Sequence, residues 1–178
     1  MGRLVADLLQ LSRFDYKKVS WKKMMFSLDD MARSVCEKMQ FSASEKNHNL
    51  ECIITVKPPQ VYADRDSIEQ VIINIVSNSI KYTPENGSIK VYVGSINNNA
   101  YIKVVDNGIG IPEKDLNRIF ERFYRVDKAR SRKMGGTGLG LSIVKEIIDG
   151  NNGTIDIHSK VNEGTEVIVT LPTKMKIY

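Results

Sequence analysis

The chain has 178 residues, with 26 Lys and Arg against 21 Asp and Glu, a formal net charge of +5 and 42% hydrophobic residues. That length suits one domain of roughly 100–200 residues with enough chain to bury a core, and no apolar run approaches the ~20 residues of a membrane span. Its two cysteines, Cys36 and Cys52, fall in different predicted elements without metal-ligand spacing, so buried, reduced thiols are the default expectation.

Arg3 to Asp15 reads as a helix, with Leu4, Leu8 and Leu11 as an apolar seam for a partner helix. A linker follows near Asp15-Tyr16-Lys17-Lys18. A strand is predicted over about Val19 to Phe26, then a helix from Leu28 to about Glu45, with Met24, Met25, Met31 and Met39 as core filler. His48, in the polar run Glu45 to Asn49, is predicted to face solvent. Short strands over about 49–56 and 60–63 lead to a helix whose start carries Asp66 and, three residues on, Glu69, the spacing of a capping box. Pro84 stops that helix and Asn86-Gly87 turns the chain. Ser88 to Ser95 and Ala100 to Asp106 form a hairpin around Asn97-Asn98-Asn99. Pro112 opens a short helix through Phe123, with Phe120 and Phe123 read as packing at the base of the lid that follows, not as ligand contacts. A helix over Gly138 to Asp149, a turn at Gly150 to Gly153 and two strands, Thr154 to Val161 and Thr165 to Leu171, complete the chain; His158 alternates toward solvent. The order predicts an α/β fold, a two-layer sandwich of a mixed sheet with helices on one face.

Three polar or glycine-rich segments carry the chemistry. At 3.6 residues per turn, Gln70, Asn74, Asn78 and Lys81 share one stripe of their helix, while Ile68, Val71, Ile72, Ile75, Val76 and Ile80 occupy its other faces. Amide oxygens suit Mg²⁺, which takes one or two protein oxygens beside substrate phosphates, and Lys81 supplies a point charge. In Asp106-Asn107-Gly108-Ile109-Gly110-Ile111-Pro112 a carboxylate ends a strand, and two glycines follow where side chains would block a close ligand. An ionised carboxylate only accepts hydrogen bonds, so it binds the adenine amino group and repels the carbonyl guanine carries there. Gly135 to Leu141 runs into the last helix, and glycines opening a helix bring bare amides and the positive dipole end to an anion. Before it lie Arg118, Arg122, Arg125, Lys128, Arg130, Arg132 and Lys133, opposed only by Glu121 and Asp127, a surplus equal to the net charge of +5. Such a segment reads as a lid over polyphosphate, which explains the charge better than nucleic acid does. The three segments together make an ATP pocket.

The ordered set resembles the catalytic and ATP-binding domain of sensor histidine kinases, within the group shared with Hsp90, gyrase and MutL. Asn74 to Tyr82 looks like the N box, Asp106 to Pro112 the G1 box, Ile119 to Tyr124 the F box and Gly136 to Leu141 the G2 box. Phe123 to Arg132 with the following glycine run is most similar to the WalK- and PhoR-like subfamily. The resemblance implies a Bergerat-type fold and these roles: Asn78 with Asn74 as magnesium ligands; Asn74, Lys81 and Arg125 serving transfer; Tyr82 and Asp106 at adenine. Gly108, Ile109, Gly110, Gly136, Thr137, Gly138, Leu139, Gly140 and Leu141 would shape the cofactor pocket and hinge the lid. Related ATPases carry a Glu four residues before the magnesium Asn; Asn74 stands there, and an amide is no general base. Hydrolysis should be poor, while transfer to an imidazole needs mainly positioning and charge neutralisation.

The implied cofactors are ATP and Mg²⁺. The implied partners are a dimerisation domain upstream, which carries the acceptor His, and a response regulator. Residues 1–18 are expected to be the end of the dimerisation helix and linker, 19–174 the catalytic domain with its lid at 124–137, and 175–178 a tail. The resemblance implies a monomeric fragment of a homodimeric, membrane-anchored receptor, lying on its cytoplasmic side and touching membrane only through segments upstream. Two alternatives stay open: a nucleotide-sensing module without transfer, and a chaperone-like ATPase. Deleting Lys128 to Lys133 as a block is expected to weaken triphosphate binding more than adenosine binding by calorimetry; equal weakening would make the segment structural.

Overall fold

Alternation in the strands explains the layering. Ile89, Val91 and Val93, then Ala100, Ile102 and Val104, then Val167, Val169 and Leu171 are buried, and the residues between the last two sets of positions are more exposed. That period of two gives the sheet one face toward a core and one toward water. The computed structural model describes residues 2–16, 19–58, 60–127 and 136–173. Lys17-Lys18 of the predicted linker, lid residues Lys128, Arg130, Arg132, Lys133 and Gly135, and the tail at 175–178 lie outside the described residues.

In chain order the elements are α1 (Gly2–Asp15), β1 (Lys23–Phe26), α2 (Leu28–Ser44), β2 (Asn49–Ile54), β3 (Val61–Asp64) and α3 (Arg65–Tyr82). There follow β4 (Ser88–Ile96), β5 (Asn99–Asp106), α4 (Glu113–Leu116), α5 (Gly140–Gly150), β6 (Thr154–Lys160) and β7 (Gly164–Pro172). Five strands form one mixed sheet in the order β2-β4-β5-β7-β6, with β2 and β4 parallel and the other pairs antiparallel; β1 and β3 pair separately. Helices α2, α3 and α5 pack side by side and onto the sheet. α3 buries Ile68, Val71, Ile72, Ile75, Val76 and Ile80, each contributing about 1.5–3 kcal/mol by removal from water. The expected two-layer α/β sandwich is the observed fold.

Local chemistry sets the boundaries. The β4–β5 hairpin turns on Asn97 and Asn98 at φ 48° and 61°, the left-handed pair a two-residue turn needs. The N-cap of α3 lies two residues before the predicted one: it is Asp64, not Asp66, accepting from Ser67 N at 3.0 Å and from Lys22 N at 2.8 Å. The strand predicted from Val19 shrinks to Lys23–Phe26, and the helix after Pro112 lasts only to Leu116 before turns. Met31 is core, but Met24 and Met25 are about half exposed on β1, and Phe123 is 58% exposed.

Two further expectations are corrected. His48 does not face solvent: it is 5% exposed, and its Nε2 sits 2.9 Å from Pro84 O and 3.2 Å from Thr83 O. Two carbonyl acceptors require that nitrogen to carry the proton and donate, so the ring ties off backbone where Pro84 ends α3. Leu11 is likewise not a free seam: it is 2% exposed in the core, while Leu4 and Leu8 are exposed.

Asn151, fully buried after α5, joins the two ends of the helical layer. Its Oδ1 accepts from Asp64 N at 2.7 Å and its Nδ2 donates to Ile147 O at 2.9 Å. Asn151→Ala is expected to cost about 1–3 kcal/mol by stranding the partly buried Asp64 amide, read as a lower denaturant midpoint; an unchanged midpoint would contradict that role.

Candidate functional site

β5 delivers Asp106 to the edge of the helical layer, 8% exposed. Its Oδ2 accepts from the Ser79 hydroxyl at 2.7 Å, and its Oδ1 accepts from Gly108 N at 2.9 Å and Thr165 N at 3.2 Å. A carboxylate has about four acceptor positions, so Oδ1 is filled and Oδ2 keeps room for one more donor. Burial pushes the Asp106 carboxyl above its ordinary 3.8, opposed by the Ser79 hydrogen bond first, then by the two amides and His48.

Asp106 lines a cavity of about 400 Å³ between α3, the sheet end and the lid flanks. That size falls within the few hundred Å³ typical of small-molecule sites. Asn74, Asn78, Lys81 and Tyr82 line it from α3, as the predicted stripe requires, although Gln70 turns away to α1. Lys81 Nζ lies 5.0 Å from the Tyr82 ring centroid. Ile109, Gly110, Arg125, Gly136, Thr137, Gly138, Gly140 and Leu141 line it from the loops and the start of α5. Two predicted pocket residues do not: Gly108 lies behind Asp106, and Leu139 is fully buried core.

The glycines have a different task from the one expected. A Cβ on Gly108 would come 2.8 Å from both Asp106 Oδ1 and Tyr82 O, and one on Gly110, at φ +69°, would come 2.0 Å from Lys160 O. Both therefore clear space for protein backbone, not directly for a ligand. Gly140 differs, since a Cβ there meets nothing within 4 Å. It opens α5, whose N-cap Leu139 has no side-chain cap, so the first-turn amides have no intrahelical acceptor and face an anion's natural position.

The lid cations divide. Arg125 reaches the cavity. Arg118 pairs with Glu121 at 3.1 Å over the Tyr124 ring, and Arg122 grips Asp15 of α1 through both nitrogens at 2.5 and 2.7 Å. Arg122 holds the Asp15 carboxyl below its ordinary range. Carboxylates in the same chain thus claim two of the arginines expected over phosphate. α1 makes three more contacts beside the site: Thr137 Oγ1 donates to Asp7 Oδ2 at 3.1 Å, Gln10 and Gln70 exchange amide hydrogen bonds, and Phe14 stacks on Trp21.

Sequence reasoning missed Ser79, the backbone amide of Thr165, and the apolar lining from Ile157 and Val167. Ser79 follows Asn78 but falls off the polar stripe, and only its distance to Asp106 reveals it. For a magnesium ion the donor set fits: Asn74 and Asn78 offer neutral hard oxygens, which leaves most of the coordination to phosphate and water.

Residues 63–175 match the family described as histidine kinase-, DNA gyrase B- and HSP90-like ATPase. The chain belongs to that family. The sensor histidine kinase WalK of Bacillus subtilis (strain 168) is 42% identical over 98% of this chain and 29% of its own length. A WalK of Staphylococcus aureus is 38% identical over 98% of this chain and 42% of its own. The chain thus spans less than half the length of these curated relatives. The catalytic domain of histidine kinase ThkA superposes with a TM-score of 0.75 at 31% identity, covering 85% of this chain and 96% of that domain. Full-length ShkA in complex with AMPPNP gives a TM-score of 0.84 at 26% identity, over 96% of this chain and 35% of that one. ThkA in complex with the response regulator TrrA gives 0.78 at 27% identity, over 97% of this chain and 48% of that one.

The pH sign at Asp106 follows from its raised pKa. An amino group donating to Oδ2 would be held more strongly by the ionised carboxylate than by the acid, so ADP affinity is expected to fall on acidification, starting above the ordinary Asp value of 3.8. Ser79→Ala removes the largest opposing contact and should move that loss to higher pH; Asp106→Asn should bind weakly with a flatter profile. Superimposable calorimetric pH profiles for the three proteins would contradict the assignment.

Proposed function

We propose that this domain binds Mg²⁺-ATP and transfers the γ-phosphoryl group to a histidine on a dimerisation domain elsewhere in the protein, for relay to an aspartate of a response regulator. The observation that carries this reading is the meeting of Asp106, the Asn74–Asn78–Lys81 stripe and the uncapped start of α5 around one cavity. The AMPPNP bound by ShkA and the response regulator bound by ThkA support it from related proteins.

Each side chain has a task. Oδ2 of Asp106 accepts the adenine amino group and Tyr82 lies against the base. Asn78, with Asn74 beside it, holds the magnesium ion, which when bound neutralises phosphate oxygens. Lys81, Arg125 and the first amides of α5 neutralise the remaining charge, and Gly136, Thr137 and Gly138 flank the hinge of the lid. An imidazole nitrogen attacks the γ-phosphorus, the bond to the β-phosphate bridging oxygen breaks, and ADP leaves with the electron pair. Asn74 cannot deprotonate water, so hydrolysis stays slow while an imidazole, which needs no deprotonation, reacts.

His48 is no acceptor, because burial and two carbonyl contacts commit its ring. His158 stands exposed on β6 and is followed by Ser159, not by the Glu of the His-Glu pair expected of an acceptor. The test supplies a dimerisation domain in trans with γ-labelled ATP. Acid-labile phosphohistidine should form on that domain, and Asn78→Asp should shift its Mg²⁺ dependence. Nucleotide binding without any transfer would instead favour a sensing module, and steady hydrolysis abolished by Asn74→Ala would favour an ATPase.

A further inference from the structure

The two cysteines, apart in sequence, meet in the fold. Cys36 lies on the inner face of α2, 6% exposed, and Cys52 lies half-buried on β2. The two elements pack on each other, and both thiols line one shallow groove with Arg33, Glu37 and Gln40, on the opposite end of the domain's sequence of elements from the lid. Lining the same groove, the two thiols are near enough for each to shift the other's ionisation, Cys36 upward and Cys52 downward.

The geometry points to Cys36 and Cys52 as an oxidant-reactive dithiol that takes hydrogen peroxide and closes to a disulfide between α2 and β2. Cys52 is the attacking sulfur. It is the more exposed of the two, and the Cys36 S–H first, then the Arg33 cation, favour its thiolate, against burial and Asp29. Cys36 is the resolving sulfur, kept protonated by its neighbour Cys52 first and by burial second. The Cys52 thiolate attacks one peroxide oxygen; the S–O bond forms, the O–O bond breaks, and the departing hydroxide takes a proton to become water. The Cys36 sulfur then attacks the Cys52 sulfenic sulfur, the S–S bond forms, the S–O bond breaks, and hydroxide leaves with the Cys36 proton as a second water. The two thiols together lose two electrons and peroxide gains them.

Their place in one groove makes the closure local: α2 packs on β2, and the bridge closes the short chain segment that carries the α2–β2 turn. None of these residues lines the nucleotide cavity, so the inference stands apart from the phosphotransfer reading.

The test treats the whole chain with a small excess of hydrogen peroxide and reads intact mass and peptide maps. The expected product is a monomer lighter by two hydrogens, with a Cys36–Cys52 cross-linked peptide that dithiothreitol reverses. In Cys36→Ser, which cannot resolve, dimedone should trap a sulfenic acid on Cys52, and in Cys52→Ser it should leave Cys36 largely unlabelled. Disulfides formed only between chains, overoxidised sulfurs without a bridge, or equal dimedone labelling in both variants would overturn the proposal. The wild-type mass result decides it even where a variant folds poorly.

Discussion

A single buried carboxylate organises the working end of this molecule. Asp106 receives a hydroxyl from α3, an amide from its own glycine loop and an amide from β7, so one side chain fixes three elements whose mutual position defines the cavity. Burying an ionised group without partners would drive it to its neutral form. Three donors oppose that shift, and one acceptor position remains for a ligand. The close approach at Gly108 belongs to the same constraint, since any side chain there would push against Oδ1. The packing of the site and the acceptor position it leaves open are therefore one arrangement.

The opposite wall of the cavity depends on α1. Thr137, at the lid's far hinge, donates to Asp7, and Arg122, at its near flank, is held by Asp15 with Glu146 at 3.7 Å. Both contacts are ionic or polar and partly exposed, so they rearrange at little cost. Leu11 and the Gln10–Gln70 pair anchor the same helix to the body of the domain. Movement of α1 would thus release Thr137 and Arg122 while leaving the Asp106 end intact.

Much of this was legible in the sequence because it is periodic or local. The stripe Asn74, Asn78 and Lys81, the strand ending on Asp106 and the glycines opening α5 announce themselves by spacing, and the alternating strands announce the layered fold. What was not legible depends on long-range register. Asp64 and Asp66 are equally plausible caps until β3 is known to end at Asp64 and to present that carboxylate to Lys22. His48 looks like surface until the carbonyls after α3 arrive beside it. The arginines of the lid look alike in a list of charges, yet Asp15 captures Arg122 from more than a hundred positions away. The meeting of the cysteines needs α2 laid on β2, which no local pattern encodes. Gly108 and Gly110 were recognisable as required, but the reason, backbone against backbone, needed coordinates.

The central claim is that Oδ2 of Asp106 accepts the amino group of adenine, and changing that one ligand group tests it most directly. Calorimetric titration of the chain with ADP and with inosine diphosphate, which carries a carbonyl where ADP has the amino group, compares a donor with an acceptor at one position of otherwise similar nucleotides. The account predicts that ADP binds and that the inosine nucleotide binds at least tenfold more weakly, as expected when a buried acceptor faces another acceptor. Equal affinities would contradict it.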